Sequence, residues 1–375
     1  MSHTQVLIQG SGIVAHVTAL ALARLGLKVA LSPQRPAPGH GDVRAYAINA
    51  ASRRLLESVK VWQAMPAQAA CPVQAMRIQA DDGATLSFDT PKDQEALTWI
   101  VDVPLLEQTL RDAVRFNSGI RELAPSEQVQ TELTVICEGR ASATRDALGV
   151  EFDVTPYGHT AIATRVRSDL PHAQVAQQWF GRPHRGDVLA LLPLAVQDAQ
   201  GQCDHTLAIV WSVQAAHVQE LLTCDTEAFE HALTQASDHS LGHLHLCSDR
   251  LSWPLQSAVA RRVTGAGWVL LGDAAHNMHP LAGQGLNLGL ADVQALAEVL
   301  PTQASHRSVG DTRLLRRYER ARSLDVLAMT QGNDALFRIF GHSSAQAQSL
   351  RKWGLGWFDR SVSLKSWTMR KAMGL

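Results

Sequence analysis

The stretch from Gly272 to Asp292, reading GDAAHNMHPLAGQGLNLGLAD, carries the most specific chemistry in the sequence. It follows the apolar run WVLL at 268–271, so Asp273 falls at the carboxyl end of a predicted buried strand. A carboxylate placed there can accept hydrogen bonds from a polyol chain such as ribitol. A glycine-rich loop and a predicted helix follow. The first turn of that helix offers unpaired N–H groups and positive potential, which suits an acceptor that gains negative charge. The N1–C2=O edge of a reduced flavin is such an acceptor, and small residues let a flat ring come close. A plain glycine-rich connection is the competing reading, and the fixed order of glycines, aspartate and helix start argues against it.

A second turn of this kind lies near the N-terminus. Residues 5–9 (QVLIQ) predict a short strand, residues 14–25 have helical spacing, and residues 28–31 predict another strand. Between the first two runs Gly10-x-Gly12-x-x-Ala15. The first glycine of such a pattern permits a tight turn, and the second lets a pyrophosphate approach the backbone. The small third residue lets the helix pack on its strand, and the helix N-terminus attracts the phosphate charge. A carboxylate usually ends the second strand and binds a ribose hydroxyl; here the position is Ser32, a weaker acceptor. A tight turn with no ligand is the alternative.

The elements that must hold these turns are legible in outline. Helices are predicted over 44–61, 105–114, 225–236 and from 286 onward. Strands are predicted at 133–137 and, within a strand-rich stretch from 158 to 253, at 160–166, 187–192 and 206–213. Residues 73–90 read as a hairpin turning at Asp81-Asp82-Gly83. The length of 375 residues suits two domains, or one with a large insertion. With 46% hydrophobic residues the chain has material for a core, which excludes overall disorder. Basic and acidic residues number 34 and 35, so the footprint of a nucleic-acid binder is missing. Cys71, Cys137, Cys203, Cys224 and Cys247 are far apart without a C-x-x-C, which fits a reducing compartment rather than a disulfide framework. Residues 4–23 carry no Asp, Glu, Lys or Arg, yet no Lys or Arg precedes them and Gly10, Gly12 and His16 interrupt them. That pattern argues against a signal peptide, and the expected location is cytoplasmic.

Other candidate sites are weaker. His239, His243, His245 and Cys247 lie close in sequence, but residues 243–246 alternate like a strand, and no metal is expected there. His276 and His279 fall inside the glycine-rich loop, where structural hydrogen bonding is the expected role. The segment GHSSA at 341–345 lacks the final glycine and the preceding strand of a nucleophile elbow.

The segment 272–292 resembles the ribitol-binding motif of class A flavoprotein monooxygenases of the p-hydroxybenzoate hydroxylase fold. Its wording HPLAGQGLNLGLAD is most similar to the ubiquinone-biosynthesis hydroxylases. The resemblance covers nearly the whole chain. VRAYAINAASRRLLESVKVWQAM from Val43 looks like the family's first long helix, led by Arg44. GHTAIATRVRSDLPHAQVAQQWF from Gly158 and LALLPL from Leu189 look like its substrate-domain strands, and RYERARSLD from Arg317 like its C-terminal helix. The family's second glycine motif falls at CEGRASATR, where Gly139, Ser142 and Arg145 match and Glu138 replaces an aspartate.

The resemblance implies an α/β fold in which a Rossmann-like FAD-binding domain (1–72, 99–157 and 264–300) is interleaved with a mixed β-sheet substrate domain (73–98 and 158–263). A C-terminal helical segment (301–375) would follow. The implied activity is FAD-dependent aromatic hydroxylation. NAD(P)H, a transient electron donor, would reduce FAD; O2 would then give a flavin hydroperoxide that delivers OH to a polyprenylated phenol in ubiquinone biosynthesis. The flavin carries this chemistry, so no catalytic triad and no metal are implied. The implied cofactor contacts are Gly10, Gly12, Ala15 and Ser32 toward the adenosine diphosphate, and Arg44 near the diphosphate or flavin. Glu138 and Gly139 belong to the second glycine turn, and Gly272 and Asp273 to the ribitol site. Gly283 and the backbone of Gly285, Leu286 and Asn287 would face the flavin pyrimidine edge, with Pro280 on the ring face.

Three positions depart from the family pattern: Ser32, Glu138, and Val103-Pro104 where a polar residue and an arginine are expected. All lie on the adenosine, diphosphate and nicotinamide side. They support an alternative, a flavin-poor non-enzymatic scaffold or lipid-binding subunit of the same fold. Residues 351–375 hold six basic residues against one acid, interleaved with Trp353, Trp357, Phe358 and Trp367. That composition suits a membrane surface or a biosynthetic complex, which would place the protein peripherally at the inner membrane surface. A helix packing its tryptophans on the flavin domain fits equally well.

Overall fold

The computed structural model describes residues 3–32, 42–81, 83–124, 127–181, 184, 186–197, 201, 203–278, 284–302 and 308–341. The N-terminal strand His3–Gln9 lies inside a six-stranded sheet. In spatial order its strands are Thr264–Gly265, Trp268–Leu270, Gln130–Ile136, His3–Gln9, Val29–Ser32 and Ile120–Glu122. All neighbours are parallel except the first pair. Val6 and Ile8 sit in register with Val29 and Leu31 on one side and with Leu133 and Val135 on the other. These side chains are buried on one face of the sheet, against the helices Ile13–Arg24, Val103–Arg115 and Gln284–Val299. The first of these helices packs against both of the others, so it is buried over most of its length. The second starts because the Asp102 carboxylate accepts from Leu105 N at 3.1 Å and Pro104 sits in the first turn, where it loses no hydrogen bond.

A three-stranded sheet joins Ala45–Ile48, Thr98–Asp102 and Ala70–Val73. Here the sequence expectation fails. Residues 45–48 are a strand antiparallel to Thr98–Asp102, and the helix expected over 44–61 covers only Ala50–Ser58. The alanine-rich segment has no local strand signal, and its pairing partner lies far along the chain. Asn49 marks the true helix start by accepting from Ser52 N at 2.8 Å.

The nine-stranded sheet runs His276–Asn277, Leu251–Ala260, Phe152–Ser168, Thr206–Gln214, Val188–Pro193, Val175–Phe180, Ala75–Gln79 and Thr85–Asp89, with Leu244–Leu246 paired beside Phe152–Ser168. The hairpin read at 73–90 is its outer edge. The faces differ by alternation along the strands. One carries Trp179, Leu189, Ile209 and Trp211, buried with Phe229 and Leu233 of the helix Thr226–Ala236. The other carries smaller side chains, including Ala163, Ala176, Ala190 and Ser212, and faces a cavity. Arg165 of this sheet pairs with the buried Asp102 at 2.8 Å, so the helix-capping carboxylate also ties two sheets together.

The helix Thr312–Gly341 closes the fold, and its buried Tyr318 donates to Leu270 O at 3.3 Å. Among the described residues no helix is long and apolar enough to cross a membrane. The basic, tryptophan-bearing stretch 351–375 lies outside the described residues.

One buried acid predicts a pH effect. Asp187 starts beside the strand Val188–Pro193, accepts from Gln214 N at 3.1 Å, and is pushed up to about 6 by burial. A raised acid pKa means that the fold prefers the protonated form. This contribution is fully present below the ordinary carboxylate range and is lost as pH rises through about 6. Asp187→Asn keeps the acceptor and removes the charge. It should therefore raise stability at pH 8 by on the order of 1–2 kcal/mol and change little near pH 3.5, below the ordinary carboxylate range. Paired thermal melts at the two pH values check this; an equal shift at both would reject the buried-charge account.

Candidate functional site

The cavity, about 570 Å³, lies between the carboxyl ends of the six-stranded sheet and the small-residue face of the nine-stranded sheet. Its floor begins at the first strand. Gly10 has φ +133°, and a Cβ there would sit 2.3 Å from the Cys137 carbonyl oxygen. Only glycine lets these two strand ends meet. Gly12 is the cap residue of the first helix and gives its first-turn N–H groups no side-chain acceptor; a Cβ there would meet nothing within 4 Å. The turn is thus an open cradle of backbone donors, which fits a pyrophosphate. Ala15 is fully buried in the core around the first helix. Ser32 is the register partner of Gln9, and its carbonyl accepts from Gly10 N at 3.1 Å.

The second glycine turn sits on the same rim. The Glu138 carboxylate accepts from Ser142 Oγ at 2.6 Å, Thr144 N at 2.9 Å and Thr144 Oγ1 at 2.8 Å. It therefore organises the short helix Ala143–Ala147 and leaves Gly139 bordering the cavity with open space at its Cβ position. Arg145, buried behind this turn, stacks on Phe152 at 4.0 Å. Arg44 also lines the cavity and holds Asp42 through bonds of 2.9 and 2.7 Å, with Glu107 at 3.7 Å. Burial alone would raise the Asp42 pKa, but the guanidinium outweighs it and holds the carboxyl below its usual range.

Asp273 is accessible from the cavity yet walled in by protein. Burial raises its pKa, opposed by His276, Arg140, Asn277 and Arg44. A carboxylate short of donors beside open space is what a polyol would satisfy. Gly272 precedes it with φ +61°. Gly285 and Leu286, at the start of the helix Gln284–Val299, line the cavity opposite. The Asn287 side chain is buried and engaged elsewhere: Nδ2 donates to Ala47 O at 2.7 Å and Oδ1 accepts from Asn49 N at 3.0 Å. This clamp fastens the helix start to the strand Ala45–Ile48. Pro280 and Gly283 lie outside the described residues, as does His279.

Sequence reasoning missed the support beneath this loop. Asp292 is fully buried and accepts from Gly272 N at 3.0 Å, His276 Nε2 at 2.7 Å and Arg322 Nε at 2.8 Å. The ring of His276 thus has the structural hydrogen bond expected of it. Asp292 was visible as the last residue of the motif and Arg322 as part of the C-terminal helix, but no spacing links them. A Cβ on Gly289 would lie 2.9 Å from Val14 Cγ2 and 3.2 Å from Gly272 Cα, so this glycine lets the two cofactor-side turns approach.

A dinucleotide turn, a walled carboxylate beside a glycine-started helix, and a cavity shared with a second sheet define a FAD-dependent monooxygenase. Known proteins agree. The FAD binding domain family model matches residues 106–333, and the chain belongs to that family. Ubiquinone hydroxylase UbiL of Rhodospirillum rubrum is 31% identical, covering 98% of this chain and 89% of the relative. The 3-demethoxyubiquinol 3-hydroxylase of Escherichia coli is 27% identical and covers 99% of each chain. In fold, the chain is similar to pqsL, a probable FAD-dependent monooxygenase from Pseudomonas aeruginosa, with TM-score 0.77, 18% identity, and coverage of 95% and 100%.

Proposed function

We propose that the protein hydroxylates the ring of a polyprenylated phenol in ubiquinone biosynthesis, with FAD as cofactor and NAD(P)H as electron donor. The observation that carries this reading is one cavity joining the glycine-lined turn and Asp273 to the small-residue face of the nine-stranded sheet. The relatives named for ubiquinone and demethoxyubiquinol support the substrate class. When bound, FAD supplies the redox chemistry and the activation of O2.

The chain's own residues do the positioning. Backbone donors at Gly12 and the following turn would hold the diphosphate, with Gly139 leaving room on the same rim. Asp273 takes ribitol hydroxyls, and the N–H groups of Gly285, Leu286 and Asn287 address the pyrimidine edge, where a helix N-terminus favours negative charge. Ala163, Ala176 and Ala190 leave width for a flat ring, and the apolar walls exclude water from it. Arg44 arrives already paired with Asp42, so it contributes a fixed rather than a mobile charge. In this reading the flavin-holding part is 1–72, 99–157 and 264–300, the substrate part 73–98 and 158–263, and the C-terminal segment 301–375. The composition of 351–375 supports attachment to a membrane surface or a biosynthetic complex, close to where a polyprenylated substrate resides.

Purified protein should be yellow, with flavin absorption near about 450 nm that bleaches on adding NAD(P)H under exclusion of air. Readmitting O2 with a polyprenylated phenol should give a product one oxygen heavier by mass spectrometry. Colourless protein that takes up no FAD on titration would instead support the scaffold alternative.

A further inference from the structure

We infer that Glu230, His243 and His245 form a binding site for a divalent transition-metal ion of the zinc class, apart from the flavin cavity. The sequence alone gives only closely spaced histidines. On extended chain, residues two apart share a face, so His243 and His245 can present their rings together. The third ligand comes from the helix Thr226–Ala236, which no local spacing reveals. One ligand atom from each of the three residues lies within 4.8 Å of the others. None of the three lines the cavity.

The supporting contacts are those a metal site uses to orient its ligands. His245 Nε2 lies 3.1 Å from Asp169 Oδ1, which leaves Nδ1 turned toward Glu230 Oε2 at 3.8 Å. Asp169 Oδ2 also accepts from His243 N at 3.0 Å, so one carboxylate fixes both the strand entry and the ring. Glu230 Oε1 accepts from Leu246 N at 2.7 Å, which holds its other oxygen in the group. A carboxylate bonded to the far nitrogen of a histidine sets the tautomer and strengthens the near nitrogen as a ligand. Two imidazole nitrogens and one carboxylate oxygen suit zinc, with water completing a tetrahedral shell on the exposed side. His245 is 39% and Glu230 15% exposed at the side chain, so an ion has an entry path. Bound metal would tie the helix over Phe229 and Leu233 to the strand Leu244–Leu246. The competing state is a metal-free cluster in which Asp169 and Glu230 flank the His245 ring at 3.1 and 3.8 Å.

Calorimetric titration of EDTA-treated, FAD-loaded full-length protein with ZnCl2 decides between them. Wild type should show one saturable equivalent that is missing from H243A/H245A. Zinc should raise the melting temperature of wild type and leave that of the double variant unchanged. Asp169→Asn should keep the stoichiometry and weaken affinity by about 10–100-fold. Glu230→Gln, whose amide oxygen still accepts from Leu246 N, should also weaken binding and serves as the test if the double variant does not fold. The proposal is overturned if wild type shows no saturable uptake, if H243A/H245A gives the same isotherm, or if Glu230→Gln binds as wild type does.

Discussion

Asp273→Ala should yield a protein that folds normally and purifies without flavin. The two halves of that expectation have separate physical causes. Burial raises the Asp273 pKa, so in the absence of cofactor the ionised carboxylate is a burden on the fold. Removing it should not lower the melting temperature of the apoprotein at neutral pH. With FAD bound, the same carboxylate would receive charge-assisted bonds from ribitol hydroxyls. Their loss should cost about 3 kcal/mol, or roughly two orders of magnitude in FAD affinity. Asp273→Asn keeps an acceptor without the charge and should fall between the two. Hydroxyl donors favour the ionised form, so wild-type FAD affinity should decline as pH is lowered, and Asp273→Asn should lose that dependence. The ratio of flavin to protein absorbance after purification, with FAD titrations of apoprotein at two pH values, checks each part. Wild-type flavin retention by Asp273→Ala would falsify the ribitol assignment.

The order of strand, carboxylate, glycines and helix was legible because each part is local. The strand Trp268–Leu270, the Asp273 position and the helix from Gln284 follow from a continuous run of sequence. The strand-rich middle of the chain was legible for the same reason, as local runs at 160–166, 187–192 and 206–213. What stayed hidden depends on partners brought from afar. Ala45–Ile48 is a strand only because Thr98–Asp102 comes alongside it. Departures from the family pattern at 103–104 and 138 look like losses in the sequence. In the fold, Pro104 occupies a helix first turn capped by Asp102, and Glu138 is committed to Ser142 and Thr144. Polar residues of ordinary appearance thus become structural through contacts that no window of sequence contains.

The largest stability effect is expected at Asp292, which nothing local marks as more than a motif's end. Its carboxylate is fully buried, and burial alone would raise its pKa; His276 and Arg322 more than offset that and hold it below the usual range. A depressed acid pKa contributes stability that is present above the ordinary carboxylate range and is lost as pH falls through the folded value. Asp292→Ala strips the acceptor from Gly272 N, His276 and the 8% exposed Arg322 together. Leaving a buried cation with one partner fewer costs about 3–5 kcal/mol, which for a chain of this length corresponds to a fall in melting temperature of about 5 °C. Arg322 keeps Asp325 at 2.9 Å, but that partner is largely exposed and cannot replace a buried carboxylate. Asp292→Asn keeps an acceptor for Gly272 N and should cost less. The double variant D292N/R322M removes both charges at once, so it should recover much of what Asp292→Ala loses. Because Gly272 and His276 bracket Asp273, flavin retention should weaken in Asp292→Ala beyond what global unfolding accounts for. Thermal melts of the three variants, each with and without FAD, separate these effects. Asp292→Ala with a wild-type melting temperature would show that the helix Thr312–Gly341 and the flavin-side loop are held together by something other than this carboxylate.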